Sequence, residues 1–171
     1  MAKKNTIEKY IRLACRLGAR DAKEISAGSI VTAPWVRVKC QYGCGGYGQC
    51  LTCPPYSLTP QETAEMLKDY QTAVLIHGDD HTDVTVIAAK VERRAFLDGY
   101  YKAFAMGSGP CRLCDECNLE DEECLNPEDA RPAMEACGID VFQTVRNNGF
   151  PIEVAKNRTC EQNYYGVVLI E

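Results

Sequence analysis

The sequence has no long apolar run. Residues 1–10 are basic but lack the apolar stretch of a signal peptide. No later stretch is apolar enough to cross a bilayer. We therefore expect a cytoplasmic protein without membrane contact.

An excess of basic residues is also missing. The chain has 19 Lys and Arg residues against 24 Asp and Glu residues, which gives a net charge of −5. The basic residues are scattered, whereas binding to a nucleic acid backbone needs a basic face. The composition therefore argues against nucleic acid as a partner.

Histidine is scarce, with only 2 residues. Neither histidine precedes x-Glu, which the motif of zinc deaminases requires. His77 ends a predicted strand and His81 lies in a predicted loop, so we expect one hydrogen-bonded and one solvated histidine. Both are left out of the predicted site.

Cysteine, in contrast, is abundant, with 11 residues in 171. A chain of this length buries a hydrophobic core without covalent staples, and we expect residues 1–171 to form one domain. An odd number of cysteines at short spacings, in a reducing compartment, fits metal or cluster ligation better than a disulfide framework.

Hydrophobic periodicity predicts alternating helices and strands. The first predicted helix begins near Asn5 and ends near Gly18. Further helices are predicted over residues 60–70, 84–105, 127–137 and 141–147. The predicted strands cover residues 25–32, 35–39, 72–78 and 164–170. This alternation predicts an α/β domain with a mixed β-sheet flanked by helices and two long cysteine-rich, metal-binding loops.

The later cysteine group is Cys111, Cys114, Cys117 and Cys124, with the spacing C-x2-C-x2-C-x6-C. Three thiolates at two-residue gaps wrap one face of a four-iron cluster, as in ferredoxins, and the fourth comes from a looser position. Ferredoxins have three residues before the last cysteine and a proline after it, unlike this chain. Zinc remains the alternative, although zinc knuckles usually use two cysteines per turn. The group predicts a 4Fe-4S cluster.

The earlier group is Cys40, Cys44, Cys50 and Cys53, with the spacing C-x3-C-x5-C-x2-C. It ends in Cys-Pro, as ferredoxin runs do, and this favours a second 4Fe-4S cluster. The spacing is less diagnostic than that of the later group. Cys50 and Cys53 alone would also suit a redox dithiol or half of a zinc site, and the two groups can also exchange ligands.

Two parts of the sequence, residues 40–56 and 109–141, together resemble DUF2284, a family of predicted metal-binding proteins. The likeness rests on Cys40, Cys44, Tyr47-Gly48, Cys53-Pro54-Pro55-Tyr56, Gly109-Pro110-Cys111-Arg112-Leu113-Cys114, Pro127-Glu128 and residues 130–140. The resemblance implies a cysteine-bound metal or iron-sulfur centre in a cytoplasmic protein of prokaryotic type, with no reaction attached.

The resemblance covers Cys40, Cys44 and Cys53 of the earlier group more firmly than Cys50. This leaves the fourth ligand of that group open. Cys137 is the reserve candidate, because it shares a face of the predicted helix with Ala130 and Met134. The other interpretation of Cys137 is a small buried core residue.

Acidic residues surround the later group, and they predict its function. They are Asp115, Glu116, Glu120, Asp121, Glu122, Glu123, Glu128 and Asp129. Negative charge near a cluster disfavours adding an electron, so we expect a low-potential electron carrier whose acidic loop docks a basic patch on a partner redox enzyme. The acidic run is equally typical of a solvated loop without a docking role. The alternative functions are a cluster-dependent enzyme with an open iron and a zinc-binding structural or interaction module.

Overall fold

The computed structural model describes residues 4–157 and 159–171, with side chains from Ile7 onward. Within these residues the chain forms five α-helices, four strands and two 3-10 turns. In chain order they are α1 (Lys4–Arg16), β1 (Asp21–Ser26), a turn (Ala27–Ser29), α2 (Pro34–Gly43), α3 (Pro60–Leu67), β2 (Thr72–Gly78), α4 (Val84–Leu97), β3 (Phe104–Met106), a turn (Glu135–Cys137), α5 (Val141–Asn147) and β4 (Tyr164–Leu169).

The four strands form one sheet in the order β1-β2-β4-β3. The α/β architecture predicted from the sequence is confirmed. The three strand pairings are antiparallel, however, so the predicted mixed sheet is wrong in strand direction. The long connections from β1 to β2 and from β3 to β4 let the chain re-enter the sheet from either end, and periodicity does not reveal which end is used.

Helices cover both faces of the sheet. Strand β2 is buried on both sides, as its apolar sequence predicts. Val74 and Ile76 pack with residues of α1 and α4, whereas Ala73 and Leu75 pack with residues of α3 and α5. No helix in the described part of the chain is long and apolar enough to cross a membrane.

Helix α3 begins where the sequence predicts it. The Thr59 hydroxyl accepts a hydrogen bond from the Glu62 backbone N–H, and the Glu62 carboxylate accepts one from the Thr59 backbone N–H, at 3.2 and 2.8 Å. Pro60 occupies the first turn, where a missing N–H costs nothing. Helices α1 and α5 and strands β2 and β4 also lie where they were predicted.

Residues 35–39 were predicted as a strand and instead lie in α2. Val38, which alternates with buried Val36 in the sequence, is 53% exposed. Pro34 begins the helix, and a short apolar alternation does not separate a strand from one helical turn. The strand predicted over residues 25–32 is shifted, because β1 ends at Ser26, where the 3-10 turn begins.

Two predicted helices are shorter than expected. Helix α4 ends at Leu97 rather than near residue 105, because Gly99 adopts a φ of +100° and reverses the chain before β3. The helix predicted over residues 127–137 is reduced to the turn Glu135–Cys137. Pro132 precedes this turn, and Ala133 forms an isolated bridge to Gly107 instead of a helical turn.

The sheet and helices hold the ends of the two cysteine-rich loops close together. The segment after Met106 is tied to the end of the later loop, since Met134 N–H donates to the Gly107 carbonyl at 3.0 Å. The start of α2 is tied to the same region, since Ala33 N–H donates to the Gly138 carbonyl at 2.9 Å. Both loops therefore start and end on fixed backbone.

Candidate metal centre

Three cysteines of the earlier group form the first cluster, Cys40, Cys44 and Cys53. Cys40 lies in the last turn of α2, and Cys44 caps that helix through a hydrogen bond from its N–H to the Cys40 carbonyl at 3.2 Å. Cys53 is buried, and burial followed by the thiols of Cys50, Cys44 and Cys40 in that order raises its pKa to about 11. The three thiols share one environment.

Gly46 lies against this cluster. A Cβ at Gly46 would stand 3.6 Å from the Cys44 sulfur and 3.9 Å from the Cys53 sulfur, so the two thiols flank its backbone. The Gly46 N–H donates a hydrogen bond to the Cys44 sulfur at 3.4 Å. The same Cβ would stand 3.5 Å from the Pro110 side chain, which places the later loop against the earlier one.

Five cysteines line a cavity of about 260 Å³ and form the second cluster: Cys50, Cys111, Cys114, Cys117 and Cys124. The Cys50 sulfur lies 3.8 Å from the carbonyl oxygen of Cys111. Burial, and then the neighbouring thiols of Cys117 and Cys111, raise the pKa of Cys50. Thiols from both loops therefore meet at this cavity.

Two N–H groups point at sulfurs of the second cluster. The Leu51 backbone N–H donates to the Cys117 sulfur at 3.4 Å, and the Asn126 side-chain amide donates to the Cys114 sulfur at 3.0 Å. Such donors stabilise thiolate charge and tune the potential of a bound centre. Asn126 has no signal in the sequence, because its role depends on a contact between residues 12 apart in a loop.

Cys50 lies where the two clusters adjoin. The sequence groups it with Cys53, and the Cys50 thiol contributes more than any other thiol to the raised pKa of Cys53. The lining of the cavity, however, associates Cys50 with the second cluster. The dithiol pattern C-x2-C is thus divided between two neighbouring clusters.

Two arginines fix the ends of the loops. The Arg37 guanidinium donates to the carbonyls of Leu58, Pro55 and Ser57 at 2.9, 3.0 and 3.2 Å, which holds the chain that follows Cys53. Arg131 donates to both carboxylate oxygens of Glu92 on α4 at 2.6 and 2.5 Å. These contacts give both arginines a structural role.

The remaining cysteines and the histidines do not line the cavity of the second cluster. Cys137 is fully buried in the hydrophobic core, and burial raises its pKa to about 12, which fits a core residue. Cys15 is exposed on α1, and Cys160 is half-buried before β4. His77 is buried and stacks on the Tyr165 ring, and His81 is exposed.

The donor set fits a metal centre because it is dominated by thiols, the ligands that select zinc and iron-sulfur clusters. Among the described residues, no three Cys, His, Asp or Glu side chains form a site for a metal ion. The thiols form two adjoining groups, one that lines the cavity of about 260 Å³ and one around Cys53, and they do not converge on one position.

A comparison with protein families matches residues 23–170, which include both cysteine clusters, to a single family. The chain belongs to DUF2284, a family of predicted metal-binding proteins. The cysteine-rich character of the chain fits this description, and the resemblance seen in the sequence is confirmed. No curated protein and no solved structure matches the chain. The DUF2284 match leaves out Cys15 alone among the cysteines.

Proposed function

We propose that this protein binds two 4Fe-4S clusters and transfers electrons at low potential to or from a partner redox enzyme in the cytoplasm. The observation that carries the proposal is the meeting of five cysteines from two loops around one cavity, beside a separate cluster of three cysteines. Thiolates in such numbers, with N–H donors on their sulfurs, are what a ferredoxin-type centre requires.

The cavity supports a multi-iron cluster more than a zinc ion. A structural zinc takes four ligands at ~2.3 Å from thiolate sulfur and fills no more space than that. Five thiols line the cavity, one more than either kind of centre uses, so the volume of about 260 Å³, larger than a single ion fills, is what favours the multi-iron cluster. A four-iron cluster uses the additional volume.

We assign Cys50, Cys111, Cys114 and Cys117 to the second centre. The thiols of Cys111, Cys114 and Cys117 all raise the pKa of Cys50, after burial as the largest cause, so these four share one environment. Cys124 lines the same cavity and is the alternative fourth ligand. Cys40, Cys44 and Cys53 hold the first centre.

Electron transfer follows from the positions of the two centres and the charge around the second. The Cys50 thiol contributes more than any other thiol to the raised pKa of Cys53, so the two centres adjoin and electrons would pass between them over a short path. The acidic residues of the later loop, including Glu116, Glu120 and Glu123, are exposed. They lower the potential of the second centre and suit a basic docking partner.

The rate of electron transfer to a basic acceptor tests this proposal. Dithionite-reduced protein is mixed with cytochrome c, used as a basic one-electron probe, over a range of salt concentrations. The rate should fall as salt rises and should fall again in Glu120→Gln/Glu123→Gln, whereas Glu24→Gln on β1 should match the wild type. A rate that is independent of salt and of both substitutions would contradict acidic docking.

A cluster-dependent enzyme is the second candidate, and one observation favours it. A cleft of about 430 Å³ lies beside Cys111 and is lined by Asp79, Thr85, Arg112 and Arg131, among others. It offers room and charge for a small polar substrate next to the second centre. Turnover of such a substrate by the reduced protein alone, without a partner protein, would favour this candidate over electron carriage.

A further inference from the structure

Glu135 has a buried carboxylate oxygen without a hydrogen-bond partner in the described part of the chain. Among the described side chains, its Oε2 is the buried polar atom that lacks a hydrogen-bond partner. Burial of a carboxylate without a partner is costly, so folded proteins pair such a group or place it on a metal. Burial raises the pKa of Glu135, and no neighbouring cation offsets this.

The turn that carries Glu135 is fixed in place by its neighbours. The Ser57 hydroxyl donates to the Ala136 carbonyl and the Thr63 hydroxyl donates to the Cys137 carbonyl, each at 2.7 Å. Gly138 ends the turn in the left-handed region at a φ of +76°, where a Cβ would stand 2.4 Å from the Pro60 side chain. The backbone that carries Glu135 is therefore held in place by its neighbours.

This turn lies against the first cysteine cluster. The Cys40 sulfur stands 4.0 Å from the Glu135 carbonyl oxygen. After burial and the Cys44 thiol, the Glu135 carboxylate is the next cause that raises the pKa of Cys40. The residue that bears the unpartnered carboxylate oxygen is thus adjacent to a candidate ligand.

The nearby alternatives do not account for Glu135. Arg37 would be the natural counter-ion, but its guanidinium is engaged by three backbone carbonyls of the earlier loop. Cys137 would be the natural fourth thiol, but its side chain is fully buried in the core. The first cluster therefore has three thiols and, beside it, a carboxylate with one unpartnered oxygen.

We propose that the Glu135 carboxylate is the fourth, non-thiolate ligand of the centre held by Cys40, Cys44 and Cys53. The inference rests on the proposed function for the nature of that centre. A carboxylate is a harder ligand than a thiolate and prefers metals that bind oxygen donors. It therefore exchanges more readily than a thiolate does on the iron of a cluster. This iron is the position in the protein where an oxygen-donor ligand such as water or a carboxylate would bind.

The test is Mössbauer spectroscopy of the full chain, reconstituted anaerobically with isotopically enriched iron and sulfide. The wild type should contain one iron whose parameters differ from those of the sulfur-ligated irons. In Glu135→Gln this iron should be lost or altered, and in Glu135→Cys it should become like the others. Glu65→Gln on α3, which is exposed, serves as the control and should match the wild type.

Two results would overturn the inference. One is a uniform set of irons in the wild type that Glu135→Gln leaves unchanged. The other concerns a purified protein that holds zinc and no sulfide. That finding would contradict the proposed iron-sulfur cluster, but Glu135 could still be a ligand of the zinc ion. Glu135→Gln should then weaken zinc binding, and an unchanged zinc affinity would overturn the inference. Glu135→Cys supplies a thiolate in place of the carboxylate. If it holds a full cluster after reconstitution, the change in Glu135→Gln comes from the missing ligand and not from misfolding.

Discussion

The Cys50 sulfur lies 3.8 Å from the carbonyl oxygen of Cys111, across 61 positions of the chain. This contact joins the two cysteine-rich loops. It associates Cys50 with Cys111, Cys114 and Cys117, although Cys53 is nearer in sequence. The ligand assignment proposed for both centres depends on this relationship.

Cys50→Ala should remove the second centre. We expect roughly half of the bound iron and sulfide to be lost, because a four-iron cluster with a missing thiolate is labile and one of two clusters is affected. Cys124→Ala should keep nearly all of the iron if Cys50 is the ligand. Iron and acid-labile sulfide per chain, determined anaerobically, provide the measurement.

The exposed Cys15 on α1 offers a matched control, since Cys15→Ala removes a thiol far in sequence from both loops. It should retain the full iron content. The reverse pattern, with iron lost in Cys124→Ala and kept in Cys50→Ala, would show that the contact between Cys50 and Cys111 is only a packing contact.

Asn126→Ala should lower the reduction potential of the second centre. The Asn126 amide donates a hydrogen bond to the Cys114 sulfur, and this bond favours the more negative, reduced state. A loss of ~0.5–1 kcal/mol corresponds to about 20–40 mV for one electron. A redox titration followed by electron paramagnetic resonance measures the shift. Asn147→Ala, which removes a hydrogen bond on α5, should leave the potential unchanged.

Glu92→Ala should destabilise the fold. Glu92 and Arg131 are exposed by only 11% and 14%, and Glu92 also accepts a hydrogen bond from Ala105 N–H at 2.7 Å. Removing one partner of such a pair leaves an uncompensated charge and costs about 3–5 kcal/mol. Urea unfolding of the metal-free protein measures the loss. Glu65→Ala breaks the exposed pair with Lys68 and should cost less than about 1 kcal/mol. Equal losses in the two variants would contradict the structural role of Arg131.

Asp98 should make stability depend on pH at the acid end. Hydrogen bonds, first from Lys9 and then from Tyr10 and Arg94, lower its pKa. A lowered carboxyl pKa stabilises the fold above the unfolded value of about 3.9, and this contribution is lost as pH falls through the folded pKa. The difference in unfolding free energy between the wild type and Asp98→Asn should therefore be constant near neutral pH and shrink below about pH 4. A difference that does not change with pH would contradict the contribution from the Asp98 charge.

Local signals in the sequence predicted local structure well. The start of α3 is encoded by Thr59, Pro60 and Glu62, which interact within one turn, and it was predicted correctly. The strand predicted over residues 35–39 is wrong. A strand would place Val36 and Val38 on the same face, whereas in α2 Val36 is buried and Val38 is exposed. Strand direction was also inaccessible, since it depends on how long connections return to the sheet.

Spacing in the sequence singled out eight candidate cysteines but not their grouping. Their role as ligands stays a prediction, and the structure places them in two adjoining clusters. The association of Cys50 with the later loop arises from a contact between distant parts of the chain. Glu135 carries no signal in sequence, because its significance lies in a carboxylate oxygen that the fold buries without a partner.

The proposal that the thiols hold iron-sulfur clusters can be tested on the purified protein. Iron, acid-labile sulfide and zinc are quantified together after anaerobic purification, and visible absorption is recorded before and after dithionite. We expect iron and sulfide sufficient for two four-iron clusters and a broad brown absorption that bleaches on reduction. Colourless protein containing zinc and no sulfide would contradict it and would indicate a structural metal module.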